Sequence, residues 1–166
     1  MPGDIPQIVS KVHDLFKGRG LTLAVAESCT GGLICHYLTE QPGASAFFVA
    51  GVVSYLETMK VKILGVSRET IETYGVVSGE TAREMAEKTR VLAGTDCSLS
   101  STGNLGPDVL EGKERGLVYL AICSGTKTFT KELSLKGDRA FNKKEGALKA
   151  LEFLVEVVER NEMPDT

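Results

Sequence analysis

Residues 21–55 read LTLAVAESCTGGLICHYLTEQPGASAFFVAGVVSY, and this stretch decides the fold. Its first six residues form a short apolar run, read as a buried strand that stops at Glu27. Residues 33–39 then look helical, and Gln41-Pro42-Gly43 breaks them. Residues 46–55 form a second, nearly continuous apolar run and read as another buried strand. Two such strands joined through a helix make a βαβ crossover, and hence a parallel pair, the simplest reading.

Working outward, residues 4–17 carry Ile5, Ile8, Val9, Val12 and Phe16 at helical spacing, with Asp4 to cap the start and Gly18 and Gly20 to end it. Downstream, residues 58–64 predict a short helix closed by Gly65, and residues 67–74 another capped by Ser67. Ser78 caps a longer helix with Ala82, Met85, Ala86, Thr89 and Leu92 on one face. Residues 96–102 predict a strand, 108–115 a polar loop and 116–123 a buried strand. Residues 127–135 alternate, with Phe129, Leu133 and Leu135 on one face, as in a half-buried edge strand. A last helix spans 138–160, with Leu148, Leu151, Leu154, Val155 and Val158 facing inward. These elements predict one domain over 1–166, a three-layer α/β/α sandwich on a mixed, mostly parallel five-stranded sheet.

Composition narrows the function. The 166 residues hold 19 Lys+Arg against 22 Asp+Glu, a net charge of −3, so no overall basic field invites nucleic acid. At 42% hydrophobic and 25% charged, the chain is an ordinary globular one. The N-terminal stretch lacks the apolar core of a signal peptide, and no apolar run reaches the roughly 18 residues of a membrane span. A cytoplasmic protein without a membrane partner is expected. Cys29, Cys35, Cys97 and Cys123 form no CxxC pair and no zinc spacing, so reduced thiols and no metal site are expected.

In such sheets ligands bind beyond the carboxyl ends of the strands, which directs attention to residues 27–32 and 102–107. Ser28 or Thr30 at a strand-to-helix turn exposes a hydroxyl near free helix-end amides, and Gly31 and Gly32 let a ligand approach the backbone. This suits a serine nucleophile with its oxyanion hole, or a phosphate cradle; it equally suits a plain capped helix. The histidines are poor bases: His13 reads as a surface residue of the first helix, and His36 lies about two turns along the helix after Ser28. A lysine with a lowered pKa can serve instead. Lys60 and Lys62, with Tyr55, follow the second strand, whose carboxyl end lies beside Ser28 in a parallel pair. Thr102-Gly103 belongs to the same rim. Cys29 reads as a small buried residue or a rival nucleophile, Glu27 as a helix-end carboxylate before a general acid, and Arg139 as a surface charge or a phosphate clamp.

The string AESCTGG at 26–32, followed by GVVSY at 51–55, resembles the CinA C-terminal domain family, the bacterial nicotinamide-nucleotide amidohydrolases (NMN deamidases of PncC type). KVKILGV at 60–66, GVVS at 75–78, Thr102-Gly103 with Gly106-Pro107, and GDR at 137–139 extend the resemblance in order over nearly the whole chain. The resemblance implies hydrolysis of the carboxamide of nicotinamide mononucleotide to the acid and ammonia, without metal or other cofactor. It implies that Ser28 is the nucleophile, that Lys60 rather than Lys62 is its base, and that Tyr55 helps hold the pair. Glu27, Cys29, Thr30, Gly31, Gly32, Thr102 and Gly103 are expected to line the substrate site, and Arg139 to meet the substrate phosphate. A homo-oligomer is expected from the apolar helices and the family's habit, and Met1 just ahead of the first helix suggests the standalone form.

One segment departs from the family pattern. Asn104-Leu105 and Asp108-Val109-Leu110-Glu111 stand where relatives carry small residues and a run of glycines. An acidic loop near a substrate phosphate is unfavourable, so two alternatives stay open: a nucleotide-binding module without turnover, and a hydrolase of another amide.

Overall fold

The computed structural model describes residues 3–161. Met1 and the outer ends of the expected 1–166 domain lie outside the described residues. The chain runs α1 (Ile5–Arg19), β1 (Leu23–Glu27), α2 (Leu33–Glu40), β2 (Phe48–Val53), α3 (Glu57–Met59), α4 (Arg68–Tyr74), α5 (Gly79–Ala93), β3 (Cys97–Gly103), β4 (Leu117–Ser124), β5 (Lys127–Ser134) and α6 (Arg139–Arg160). The termini follow local chemistry. Gly20, in the left-handed region at φ 64, ends α1, while Gly18 lies inside the helix and the Asp4 side chain makes no capping bond. Ser78 Oγ accepts the Thr81 amide at the head of α5, and Asp138 Oδ1 accepts the Phe141 amide at the head of α6.

The strands order as β2-β1-β3-β4-β5 in one mixed five-stranded sheet. β1 pairs in parallel with β2 and β3, whereas β3–β4 and β4–β5 are antiparallel. The parallel half aligns Glu27 with Val53 on one side and Ser101 on the other, so the residues just after these three strands emerge together. β2 differs from the buried strand expected: it is an edge strand, with Val49 and Val53 about half exposed at 53% and 48%. Its apolar run is continuous, but with a neighbour on one side only it alternates between half-buried and exposed positions.

Helices α1, α2 and α6 pack together on one face of the sheet. There Val12, Phe16, Leu38, Leu151 and Leu154 meet Leu23, Leu99, Leu120 and Ile122. The other face carries α5, whose Ala82 and Ala86 pack on Ala121 and Cys123. These small residues let α5 approach closely enough for the Ser98 and Ser100 hydroxyls to donate to the carbonyls of Ala86 and Ala82. His13 corrects the surface reading: it is fully buried, with Nε2 2.9 Å from the Leu38 carbonyl and its ring edge-on to Phe47. The four cysteines are free thiols, and no helix among the described residues is long and apolar enough to cross a membrane.

Candidate active site

Ser28 follows β1 directly, its amide donating to the Ser101 carbonyl. Ser54 and Tyr55 follow β2, and one turn later the chain enters a wide π-helical turn at Lys60–Leu64. Leu64 and Val66 bury themselves at the end of that turn, and Gly65 at φ 83 closes it. Lys60 is thereby drawn inward to 1% exposure, while Lys62 stays in solvent. Its Nζ lies 2.8 Å from Ser28 Oγ, 2.9 Å from the Ser54 carbonyl and 3.0 Å from the Tyr55 carbonyl. Burial lowers its pKa from 10.5 to about 8 against the opposing pull of Cys29, Glu57 and Glu111. Carbonyl oxygens only accept, so a neutral Lys60 spends its two N–H bonds on them and turns its lone pair toward the Ser28 hydroxyl.

The residues flanking Ser28 divide into two groups. Glu27 is fully buried and does not face the cavity: it accepts the Thr30 hydroxyl at 2.6 Å and the amides of Ile34 and Cys35 at 2.9 and 3.0 Å. It caps α2 from the preceding strand, an acid suited to a helix N-terminus. Thr30 is buried as well, tied to Glu27 and to Ser101 Oγ. The substrate contacts expected of Glu27 and Thr30 are therefore not what their positions offer. Gly31 and Gly32 adopt φ 57 and 99, conformations that L side chains resist, and so let the chain turn sharply into α2. Cys29 lines the cavity, but burial pushes its thiol up to about 12, which keeps it a poor nucleophile.

Beyond the Ser–Lys pair opens a cavity of about 450 Å³, in the range of small-molecule sites. Thr102, Gly103, Tyr55 and Arg139 line it. The Thr102 hydroxyl donates to the Val76 carbonyl at 2.8 Å, and so fixes the wall of the cavity. Tyr55 contributes to the pair through its backbone carbonyl; its side chain is 55% exposed, and its hydroxyl accepts from Arg139 at 3.0 Å. Arg139 also donates to the Gly106 carbonyl at 2.7 Å, which spreads the guanidinium across the rim. Among the described residues no cluster of three or more His, Cys, Asp or Glu side chains is disposed to hold a metal ion.

The divergent loop is built inward. Asn104 is buried, its amide group bonded to both the amide and the carbonyl of Leu110, and Leu105 joins the core. Glu111 accepts the amides of Val76 and Val77, each at 2.9 Å, with Lys113 Nζ 3.3 Å away. Of the two acids expected to disfavour a phosphate, Glu111 is held by these bonds, whereas Asp108 is exposed and lines the cavity. Sequence reasoning missed Ser54, Val76 and Lys113 because they act through backbone carbonyls or loop bonds, which carry no residue signature.

Known proteins share this fold. The CinA C-terminal domain model matches residues 6–158. A protein of Caldanaerobacter subterraneus subsp. tengcongensis described as competence-damage inducible is 48% identical over 82% of this chain, and a CinA-like protein of Chloroherpeton thalassium is 40% identical over 93%. The chain spans about a third of the length of these curated relatives, 32% and 38%. Among solved structures, competence damage-inducible protein A of Klebsiella pneumoniae superposes with a TM-score of 0.93 at 30% identity, over 95% of this chain and 99% of that one. A competence/damage inducible protein of Agrobacterium tumefaciens gives 0.90 at 34% identity, over 96% and 98%.

Proposed function

Since the chain belongs to the CinA C-terminal domain family, we propose that it is a Ser–Lys amidohydrolase that converts nicotinamide mononucleotide to nicotinic acid mononucleotide and ammonia. The observation that carries this reading is the 2.8 Å contact between buried Lys60 Nζ and Ser28 Oγ at the floor of a cavity. A serine hydroxyl needs a base, and a desolvated lysine within hydrogen-bond distance serves once it is neutral.

The steps follow from these groups. Ser28 Oγ attacks the carboxamide carbon as its proton passes to Lys60. The amides of Cys29 and Thr30 stand at the turn after the nucleophile and can meet the oxyanion. Lys60 then returns its proton to the departing nitrogen, ammonia leaves, and Ser28 carries a nicotinoyl ester. Water attacks that ester with Lys60 again accepting the proton, and the acid is released with Ser28 restored. Arg139, on the cavity rim, is suited to the substrate phosphate.

The test is ammonia release from nicotinamide mononucleotide by the purified protein, beside Ser28→Ala and Lys60→Ala. Release lost in both folded variants supports the reading. Retained release in both, or none from the folded wild type, rejects it and turns attention to a binding role or another amide.

A further inference from the structure

The chain is acidic overall, yet residues 136–144 read KGDRAFNKK, in which Lys136, Arg139, Lys143 and Lys144 face the single acid Asp138. Three of these cations fall in the first two turns of α6, whose first turn holds no acid. A helix N-terminus disfavours cations, so this placement works against helix stability. Lys143 is the unusual member. It is half-buried, and among the described residues it makes no ion pair or hydrogen bond. It leans over the turn that follows the nucleophile: a Cβ added at Gly31 would stand 3.3 Å from its Nζ. Arg139 lies one helical turn earlier on the same face of α6 and lines the cavity.

We propose that Lys143 joins Arg139 in a two-cation grip for the phosphate monoester of the substrate, which makes it a determinant of selectivity for phosphorylated over phosphate-free amides. The inference rests on the amidohydrolase reading above. A phosphate monoester carries close to two negative charges near pH 8, and one guanidinium already committed to Gly106 and Tyr55 neutralises only part of them. Lys143 supplies a second, uncommitted charge one helical turn along α6 from Arg139 and beside Gly31. Gly31 has no side chain to displace the ammonium from that position.

The experiment compares nicotinamide mononucleotide with nicotinamide riboside, which has the same amide and no phosphate, in wild type, Lys143→Met and Lys143→Arg. Methionine keeps the apolar stem and removes the charge; arginine keeps the charge. Lys143→Met is expected to raise KM for the mononucleotide about tenfold and to lower the mononucleotide-to-riboside ratio of kcat/KM by the same factor, with Lys143→Arg restoring most of it. Equal losses on both substrates, or an unchanged ratio, overturn the inference. If the wild type hydrolyses neither substrate, the functional reading fails by itself, and calorimetric titration with inorganic phosphate decides the inference: weaker binding in Lys143→Met supports it, and equal binding overturns it.

Discussion

Lys60 Nζ lies 2.8 Å from Ser28 Oγ although the two residues are 32 positions apart, because they follow neighbouring parallel strands whose ends emerge side by side. The contact is a product of topology. β1 delivers Ser28 straight from the sheet, whereas β2 delivers two carbonyls and then, through a π-helical turn, the lysine that binds them. Such turns are uncommon and are often found at functional sites. Here the turn supplies the rotation that buries Lys60 and leaves Lys62 outside.

The first consequence concerns pH. The base must be neutral, and burial has lowered its pKa to about 8. Turnover is expected to rise with pH through an apparent pKa near that value and to level off above it. Lys60→Arg, always charged, is expected to lose about 100-fold or more and show no such rise. A rate profile flat from pH 6 to 9 in the wild type would contradict the assignment.

The same burial affects stability. Below pH 8 Lys60 carries its charge in both the folded and the unfolded chain, and the folded chain bears the desolvation cost. Between about 8 and 10.5 the folded protein has released the proton that the unfolded chain still holds, so this cost fades and stability from this group rises with pH. Lys60→Met is therefore expected to be about 1–3 kcal/mol more stable than wild type at pH 7, with the gap narrowing toward pH 10. Urea unfolding at both pH values measures it; a variant less stable at pH 7 would show that the carbonyl bonds outweigh desolvation.

The parts legible in the sequence are those with a local signature. The LTLAVA run, the glycines after Ser28, the Ser78 cap and the stripe on α6 each state their element through spacing or dihedral demand. Burial across the sheet is less legible. β2 has the composition of a central strand, yet strand order sets it at an edge, and strand order is decided by how all five strands assemble. His13 was illegible for a similar reason: a polar residue on a helix reads as solvated until Phe47 and the Leu38 carbonyl arrive from distant parts of the chain. At the site, the residues alone left Ser28 or Thr30 and Lys60 or Lys62 open, and the family resemblance chose Ser28 and Lys60. The second roles of Glu27 and Tyr55, one capping a helix and the other lending a carbonyl, required three dimensions.

Glu27 gives a prediction that separates positioning from substrate contact. Its carboxylate receives two amides at the start of α2 and the Thr30 hydroxyl, and Ser28 is the next residue. Glu27→Gln keeps the shape but turns an NH2 group toward N–H donors that need an acceptor. The expected cost is about 1–3 kcal/mol of stability, together with a fall in kcat of about tenfold or more as the Ser28 turn loosens. KM is expected to change little, because the side chain is sealed from the cavity. A large KM effect with kcat intact would mean that Glu27 meets the substrate after all.

Glu111 tests the loop that diverges from the family. Burial pushes its carboxyl up, but the Val77 and Val76 amides and Lys113 more than offset this and hold the pKa below the ordinary value. It occupies the left-handed region at φ 62, the one non-glycine residue to do so among the described residues, and this strain is borne by the bonds it makes. Because the group is partly exposed, solvent screening limits its worth: Glu111→Gln is expected to cost about 0.5–1.5 kcal/mol at pH 7. A depressed carboxyl contributes above its unfolded pKa and loses that contribution as pH falls through the folded value, so the gap between wild type and variant should close in acid. Hydrogen exchange at the Val76 and Val77 amides should speed up in the variant, since these lose their acceptor. If the gap persists at low pH and those amides stay protected, the loop is held by Asn104 alone and Glu111 is free to act on the substrate.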